Sequence, residues 1–419
     1  MDKFKVQLYE ESQDMQLAMD SRGGREFSLH KRSGIQWRSF AGGWKSRSLE
    51  TGYGEEAAAA LSLKSRGLPD PLPLPADAGE ILAAGAFLAR CLQRHDLQEW
   101  KLQFRAHCCR RLIRNTHRQL VRNVFRHFSV SAAFKARGQA EELRVGEGNG
   151  EGTKFNLDGL GRRIAEALEE QKNRGRVALD CQVPVVLQAG EGAILFHEVL
   201  GHALEADYVC RGSSPFTPAD LGRAIVPESI TILGRDPRDP FFREAAVDDE
   251  GETCPSPVLV ERGVLRRFIS DTACQKILRL KDRGHARLED FRRIPQPRMF
   301  ATYVQPGPLP AAEIVASTPR GIFARDFGEG GLDLRSDSFY FRIRRSSLIE
   351  KGRLTAPLGP LVVRGRLRDI LHDIVMVGDD FRYDRGLSYC QKNGQVLPVR
   401  VGQPTVKIGK LWVSERHGS

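Results

Sequence analysis

Phe196-His197-Glu198-Val199-Leu200-Gly201-His202-Ala203-Leu204-Glu205-Ala206-Asp207 gathers two imidazoles and three carboxylates into about three helical turns. Upstream, Pro184-Val185-Val186-Leu187-Gln188 is a short apolar run of strand character. Ala189-Gly190-Glu191-Gly192 then reads as a tight turn into a helix beginning near Ala193. A strand, a glycine turn and a helix bearing His-Glu and a second His is one way to build a metal site. Neutral imidazoles ligate zinc, and a neighbouring glutamate can handle the proton of the attacking water.

The spacing departs from the common HExxH. His197 and His202 stand five residues apart, as HExxxH. Five steps at 3.6 residues per turn rotate the chain by roughly 500°, so the two side chains diverge by about 140° on an ideal helix. Both reach one ion only if the helix widens, as in a π-bulge, or kinks. Gly201, just before the second histidine, is where that distortion costs least. The alternative is a packed histidine and a surface histidine on an ordinary amphipathic helix. Leu204-Glu205-Ala206-Asp207 is expected to continue the helix, with Glu205 three residues after His202 on the same face. Glu205 can then hold the imidazole in one tautomer or bind metal itself.

Far downstream lie Asp384-Arg385-Gly386-Leu387-Ser388-Tyr389-Cys390-Gln391-Lys392-Asn393-Gly394-Gln395 and Val401-Gly402-Gln403-Pro404-Thr405. Together with His-Glu-Val-Leu-Gly-His-Ala-Leu-Glu-Ala-Asp, these segments closely resemble the signatures of the TldD/PmbA metallopeptidases, once called modulators of DNA gyrase. Val247-Asp248-Asp249-Glu250-Gly251, Pro295-Gln296-Pro297-Arg298-Met299 with Thr302-Tyr303, and the glycines around Phe327-Gly328 add matches in order. The likeness runs from about Val183 to Val413 and is weak in the N-terminal part. It implies that Cys390 is a third metal ligand beside His197 and His202, that Glu198 is the general base, and that one Zn2+ is held per chain. Because His, Glu, His and Cys are all kept, the chain resembles the TldD-like catalytic branch rather than the PmbA-like partner. The resemblance further implies cleavage of unfolded or extended peptides, and a homodimer or a heterodimer with a PmbA/TldE-like subunit. One thiolate among the ligands makes the water less acidic than three imidazoles would, which makes a base at Glu198 more useful.

The 419 residues suffice for two cores. We expect an α+β fold of mainly antiparallel sheets with packed helices: a divergent N-terminal domain over residues 1–175 and a C-terminal metallopeptidase domain over residues 176–419, which carries the metal helix. Short strands and hairpins are expected around Ser28–Ser46, and helices over Glu55–Ser65, Asp77–Arg94 and Leu157–Lys172, the last with Leu160, Ile164, Ala165 and Leu168 on one face. Gly67-Leu68-Pro69-Asp70-Pro71-Leu72-Pro73-Leu74-Pro75 reads as a proline-rich loop. Hairpins are expected at Val258–Leu265 and Ser346–Leu354, helices at Thr272–Leu280 and Leu367–Val375, and a closing strand at Thr405–Val413.

Eight cysteines without a CxxC pattern, and no run apolar enough to span a membrane, point to a cytoplasmic protein with reduced thiols. The net charge of +11 permits nucleic-acid binding without arguing for it. Arg110, Arg114, Arg118, Arg122 and Arg126 recur every four residues; on the strands expected for Gln119–Ala133 they share a face, read as a solvated one. Arg298 is read as a surface arginine and Gln403 as a turn residue, with substrate contact the alternative for each; His372 is read as a packed or surface histidine, and Asp248-Asp249-Glu250 as a charged turn that organises the sheet, with a small metal or hydrogen-bond cluster the alternative. Two other functions remain open: a non-catalytic partner subunit of a TldD/PmbA-type complex, and a basic nucleic-acid-binding protein with a structural zinc.

Overall fold

A computed structural model describes residues 4–415, apart from 41–43, 51–76, 117–119, 140, 151–153, 176, 237–238, 240, 243–246, 255 and 386–387. The expected helix Glu55–Ser65, the proline-rich run, Arg118 and Gly386-Leu387 lie outside the described residues. The fold is α+β with mostly antiparallel sheets, as expected.

Six strands of the N-terminal part form one antiparallel sheet: β1 (Phe4–Asp20), β2 (Arg25–Phe40), β3 (Trp44–Glu50), β4 (Leu97–Asn115), β5 (Leu120–Ala136) and β6 (Glu142–Asn149), in the order β3-β2-β1-β4-β5-β6. The strands are far longer than the glycine punctuation suggested: β1 has 17 residues and β2 has 16. Gly23, with φ of 84°, makes the β1–β2 turn, but Gly34 lies inside β2 opposite Glu10. The flat face of that glycine admits the Phe291 ring, into which a Cβ would project.

Two helices, α1 (Ala78–Gln93) and α2 (Leu157–Lys172), cover one face of this sheet. Asp77 caps α1 by accepting from the amides of Gly79 and Glu80, and Asn156 caps α2 through Gly159. Leu88, Leu92, Leu160, Ile164 and Leu168 pack there on Leu17, Leu102, Phe104, Val130 and Phe134. Each such side chain contributes roughly 1.5–3 kcal/mol on burial. Ala167 fills the inner face of α2 in place of Ala165, which is exposed.

The C-terminal part is built on a seven-stranded mixed sheet. Its centre is β7 (Asp180–Leu187), parallel to Arg320–Asp333 on one side and antiparallel to Val406–Ser414 on the other. The two expected hairpins form, each through paired left-handed residues: Arg262-Gly263 (φ 46° and 81°) and Lys351-Gly352 (φ 49° and 71°). The expected helix at Leu367–Val375 ends at His372, because Ile374–Val377 leaves it to pair with the closing strand. His372 is exposed.

The two parts meet through Val247-Asp248-Asp249-Glu250-Gly251. This charged turn is buried, and its carboxylates form a hydrogen-bond cluster that organises the joint. Asp248 accepts from the amides of Glu250, Glu252 and Ala286. Asp249 accepts from the Leu288 amide and from Arg111 of β4 at 2.8 Å. Asn115 and Asn123 bind the carbonyls of Gly251 and Val247, and Arg38 binds that of Asp249. Val6, Leu8 and Ile113 complete the seam against Val247, Leu288 and Phe291.

Candidate metal centre

β7 runs straight into the site. Gly190, at φ of 97°, turns the chain, and its amide donates to the Gln403 carbonyl at 3.0 Å. Gln403 is therefore not a turn residue: it lies fully buried in the strand Arg400–Gln403, its amide reaching the Gln188 carbonyl. Ala193–Phe196 is one turn of α-helix, His197–Gly201 is a π-turn, and His202–Leu204 is 3-10. The π-turn supplies the widening that five-residue spacing demands. Gly201 is required there for a packing reason too: a Cβ would enter the Met299 sulfur and lie 3.4 Å from the Thr302 hydroxyl.

The helix then breaks at one residue, Glu205, and resumes over Ala206–Cys210. Glu205 is extended (φ −70°, ψ 119°) and bridges to Ile269, where the sequence led us to expect continuation. Backbone pairing with a segment 64 residues away overrides the local helix preference. Glu205 nonetheless meets His202, through the bend rather than along a helix face.

His197 and His202 stand with ring centroids 5.1 Å apart at 79°. Cys390 enters from the hairpin Tyr389–Lys392/Gln395–Pro398, its Sγ 3.3 Å from His202 Nε2. One nitrogen from each histidine and the sulfur all lie within 4.8 Å of one another, and all three residues are buried. The fully buried His197 Nε2 has no hydrogen-bond partner among the described residues. An orphaned buried nitrogen beside a thiol and a second imidazole fits a metal ligand set, and two nitrogens with one sulfur suit zinc. Glu198 points a quarter-exposed carboxylate at the same place, 3.8 Å from His202 Nε2.

Charge is arranged around these ligands. Burial alone would raise the Cys390 thiol, but the neighbouring imidazoles of His202 and His197 bring it down to about 5. Burial opposes charge on His202, yet Glu205 and Cys390 hold it well above the usual imidazole range. His202 Nδ1 lies 2.8 Å from Glu205. Glu205 overcomes its own burial through Lys392 and His202 and sits at about 2. Lys392, with a side chain 1% exposed, binds Glu205 at 2.8 Å, Asp207 at 2.6 Å and the Pro297 carbonyl at 3.0 Å.

Sequence reasoning assigned no role to Lys392 or Thr302. Lys392 stands two residues after Cys390, hence on the same side of its strand. Thr302 Oγ1 lies 3.4 Å from His197 Nδ1. Arg298, read as a surface residue, is completely buried; it grips the carbonyls of Cys390 and Gln395 and so fixes the cysteine hairpin. The arginine stripe is not simply a solvated face either, since Arg110 is buried against Glu11. A cleft of about 460 Å³ opens over the site, lined by Glu198, His202, Tyr208, Arg211, Arg335 and Gln391.

The family described as the PmbA/TldA metallopeptidase C-terminal domain matches residues 180–415. This chain belongs to that family. The "Metalloprotease TldD homolog" of Buchnera aphidicola subsp. Schizaphis graminum is 32% identical over 296 residues, covering 68% of this chain and 61% of the relative. The "Zinc metalloprotease TldD homolog" of Saccharolobus solfataricus is 29% identical over 233 residues, covering 55% of this chain and 51% of the relative. The chain thus spans about three fifths of the length of the first of these relatives. TldE from Thermococcus kodakarensis shares the fold, with a TM-score of 0.75 at 15% identity, over 99% of this chain and 97% of that one.

Proposed function

We propose that this chain is a zinc-dependent peptidase whose metal is held by His197, His202 and Cys390, one ion per chain. The convergence of their three ligand atoms within 4.8 Å, at the floor of an open cleft, carries the reading. Zinc in this place supplies Lewis acidity, which polarises a peptide carbonyl and acidifies water. Glu198 takes the proton from the attacking water and delivers it to the departing amine. Glu205 fixes the tautomer and orientation of His202, and Lys392 keeps Glu205 ionised. The cleft suits an extended peptide. The names of the TldD relatives support the peptidase, and the zinc in one of those names supports the metal.

The fold shared with TldE supports pairing with a homologous subunit, either a second copy or a PmbA/TldE-like partner. Eight free cysteines, and no helix among the described residues long and apolar enough to cross a membrane, support a reducing cytoplasmic setting. The test is cleavage of an unfolded peptide substrate by wild type and by Glu198→Ala, with and without such a partner. Cleavage that chelator abolishes and zinc restores, and that Glu198→Ala lacks, supports the reading. Chelator-resistant cleavage, or full activity in Glu198→Ala, overturns it.

A further inference from the structure

The face of the N-terminal sheet opposite α1 and α2 looks across a cavity of about 360 Å³ toward the C-terminal part. That volume lies within the roughly 300–1,000 Å³ usual for small-molecule sites. The strand register lays out its floor. Asp14 of β1 lies opposite His30 of β2 and His107 of β4, and His107 lies opposite His127 of β5. Directly opposed residues share a face, so three imidazoles and one carboxylate form a row across four strands. One row along, Arg32 lies opposite Ser12; in the other direction, Arg105 lies opposite Gln16. The opposing wall is Phe241, Phe242, Arg287 and Tyr389.

Charge here is unbalanced. The carboxylates that line the cavity are engaged already: Glu10 with Arg111 at 2.8 Å, Asp14 with His107 at 2.6 Å, Glu289 with Arg293 at 3.7 Å, and Asp290 with Arg292. Among the described residues no carboxylate ion-pairs with Arg32, Arg105 or Arg287, and Arg105 is hydrogen-bonded to Tyr389. Arg287 is the informative one, at 4% exposure. Among the described residues its guanidinium donates to the carbonyls of Met299 and Pro398, and it lies against the rings of Phe242 and Phe300. Burial, then Arg298, pull it down to about 9; Asp249, which opposes them, is bound to Arg111. A buried cation without a counter-charge is costly, and an anion in the cavity supplies one. Tyr389 completes the wall, its hydroxyl 2.7 Å from His127 Nδ1.

We propose that this cavity is a second ligand site, separate from the metal centre, for a small anion with a flat apolar body. The charge, a carboxylate or a phosphate monoester, meets Arg32, Arg105 and the histidine row, within the field of Arg287, which lines the same cavity; guanidinium groups favour both. The body lies against Phe241, Phe242 and Tyr389. Tyr389 directly precedes Cys390, and Leu397 stands opposite Cys390 in the same hairpin, so an occupant touches the strand pair that carries the thiol. The site does not depend on the peptidase reading.

The test is calorimetric titration of the full chain with phenyl phosphate and with N-acetylphenylalanine, at constant ionic strength, with chloride as the control. We expect one saturable site in wild type, at least tenfold weaker binding in Arg32→Ala/Arg105→Ala, and wild-type binding in Lys101→Ala. Both arginines are exposed, so the substitutions spare the packing; Arg32→Gln and Arg105→Gln are measured singly if the double variant does not fold. Binding retained in Cys390→Ala separates this site from the metal centre. Preference for one probe identifies phosphate or carboxylate as the charge read. No saturable heat above chloride with either probe, or undiminished binding in the arginine variants, overturns the proposal.

Discussion

Glu198 and Lys392 serve the same centre from opposite sides. Glu198 reaches the cleft with a quarter-exposed carboxylate, 3.8 Å from His202 Nε2. Glu198→Gln is therefore expected to keep its metal and lose about 10²–10⁴-fold in cleavage rate, the usual worth of a positioned acid–base group. Lys392 is sealed between Glu205 and Asp207. Lys392→Met removes the buried cation these carboxylates share, leaving Glu205 to His202 and Asp207 to Arg211, at a cost of about 3–5 kcal/mol in urea unfolding. Freed of that partner, Glu205 holds His202 less firmly, and metal affinity falls by about 10–100-fold. The pH dependence follows from Glu205. Its folded-state value, about 2, lies below the ordinary 4.5. Its contribution to stability is thus fully present above 4.5 and is lost as the pH falls from there toward 2. Acid titration of the metal-free protein is expected to show this loss in wild type and to show less of it in Glu205→Gln.

At the scale of elements, the π-turn is what brings the two histidines of HExxxH together. Gly201 permits it, and the Met299 sulfur occupies the space a side chain would need. Gly201→Ala is expected to cost about 1–3 kcal/mol through overpacking. Met299→Ala in the same chain should recover part of that loss, giving a favourable coupling in a double-mutant cycle by denaturant titration. The five-residue spacing and the glycine made this turn legible in the sequence. The break at Glu205 was not legible, because it rests on pairing with Ile269. Lys392 and Arg298 were missed for the same reason: their partners at Glu205 and Cys390 lie 187 and 92 residues away along the chain. The candidate ligands were legible as candidates because histidine and cysteine announce themselves by type; the groups packed around them announce themselves only by contact.

For the whole molecule, the decisive joint is the buried acidic turn against the N-terminal sheet. Arg111 binds Glu10 and Asp249 at 2.8 Å each, with all three side chains buried. Arg111→Met removes the cation from two buried carboxylates, and a loss of about 3–5 kcal/mol is expected, read as a lower urea midpoint. The α+β character was legible from hairpin signals and helix periodicity. The length of β1 and β2 was not, because polar residues such as Glu10, Glu11, Ser12 and Gln13 are buried within them and blur the alternation. The central claim remains that His197, His202 and Cys390 hold one zinc. The direct measurement is zinc stoichiometry of the purified chain, beside Cys390→Ala and His202→Ala, after dialysis against a weak chelator. One zinc per wild-type chain, and near none in either variant, is the predicted result. A wild-type chain that retains no zinc, or a Cys390→Ala chain that retains a full equivalent, contradicts the account.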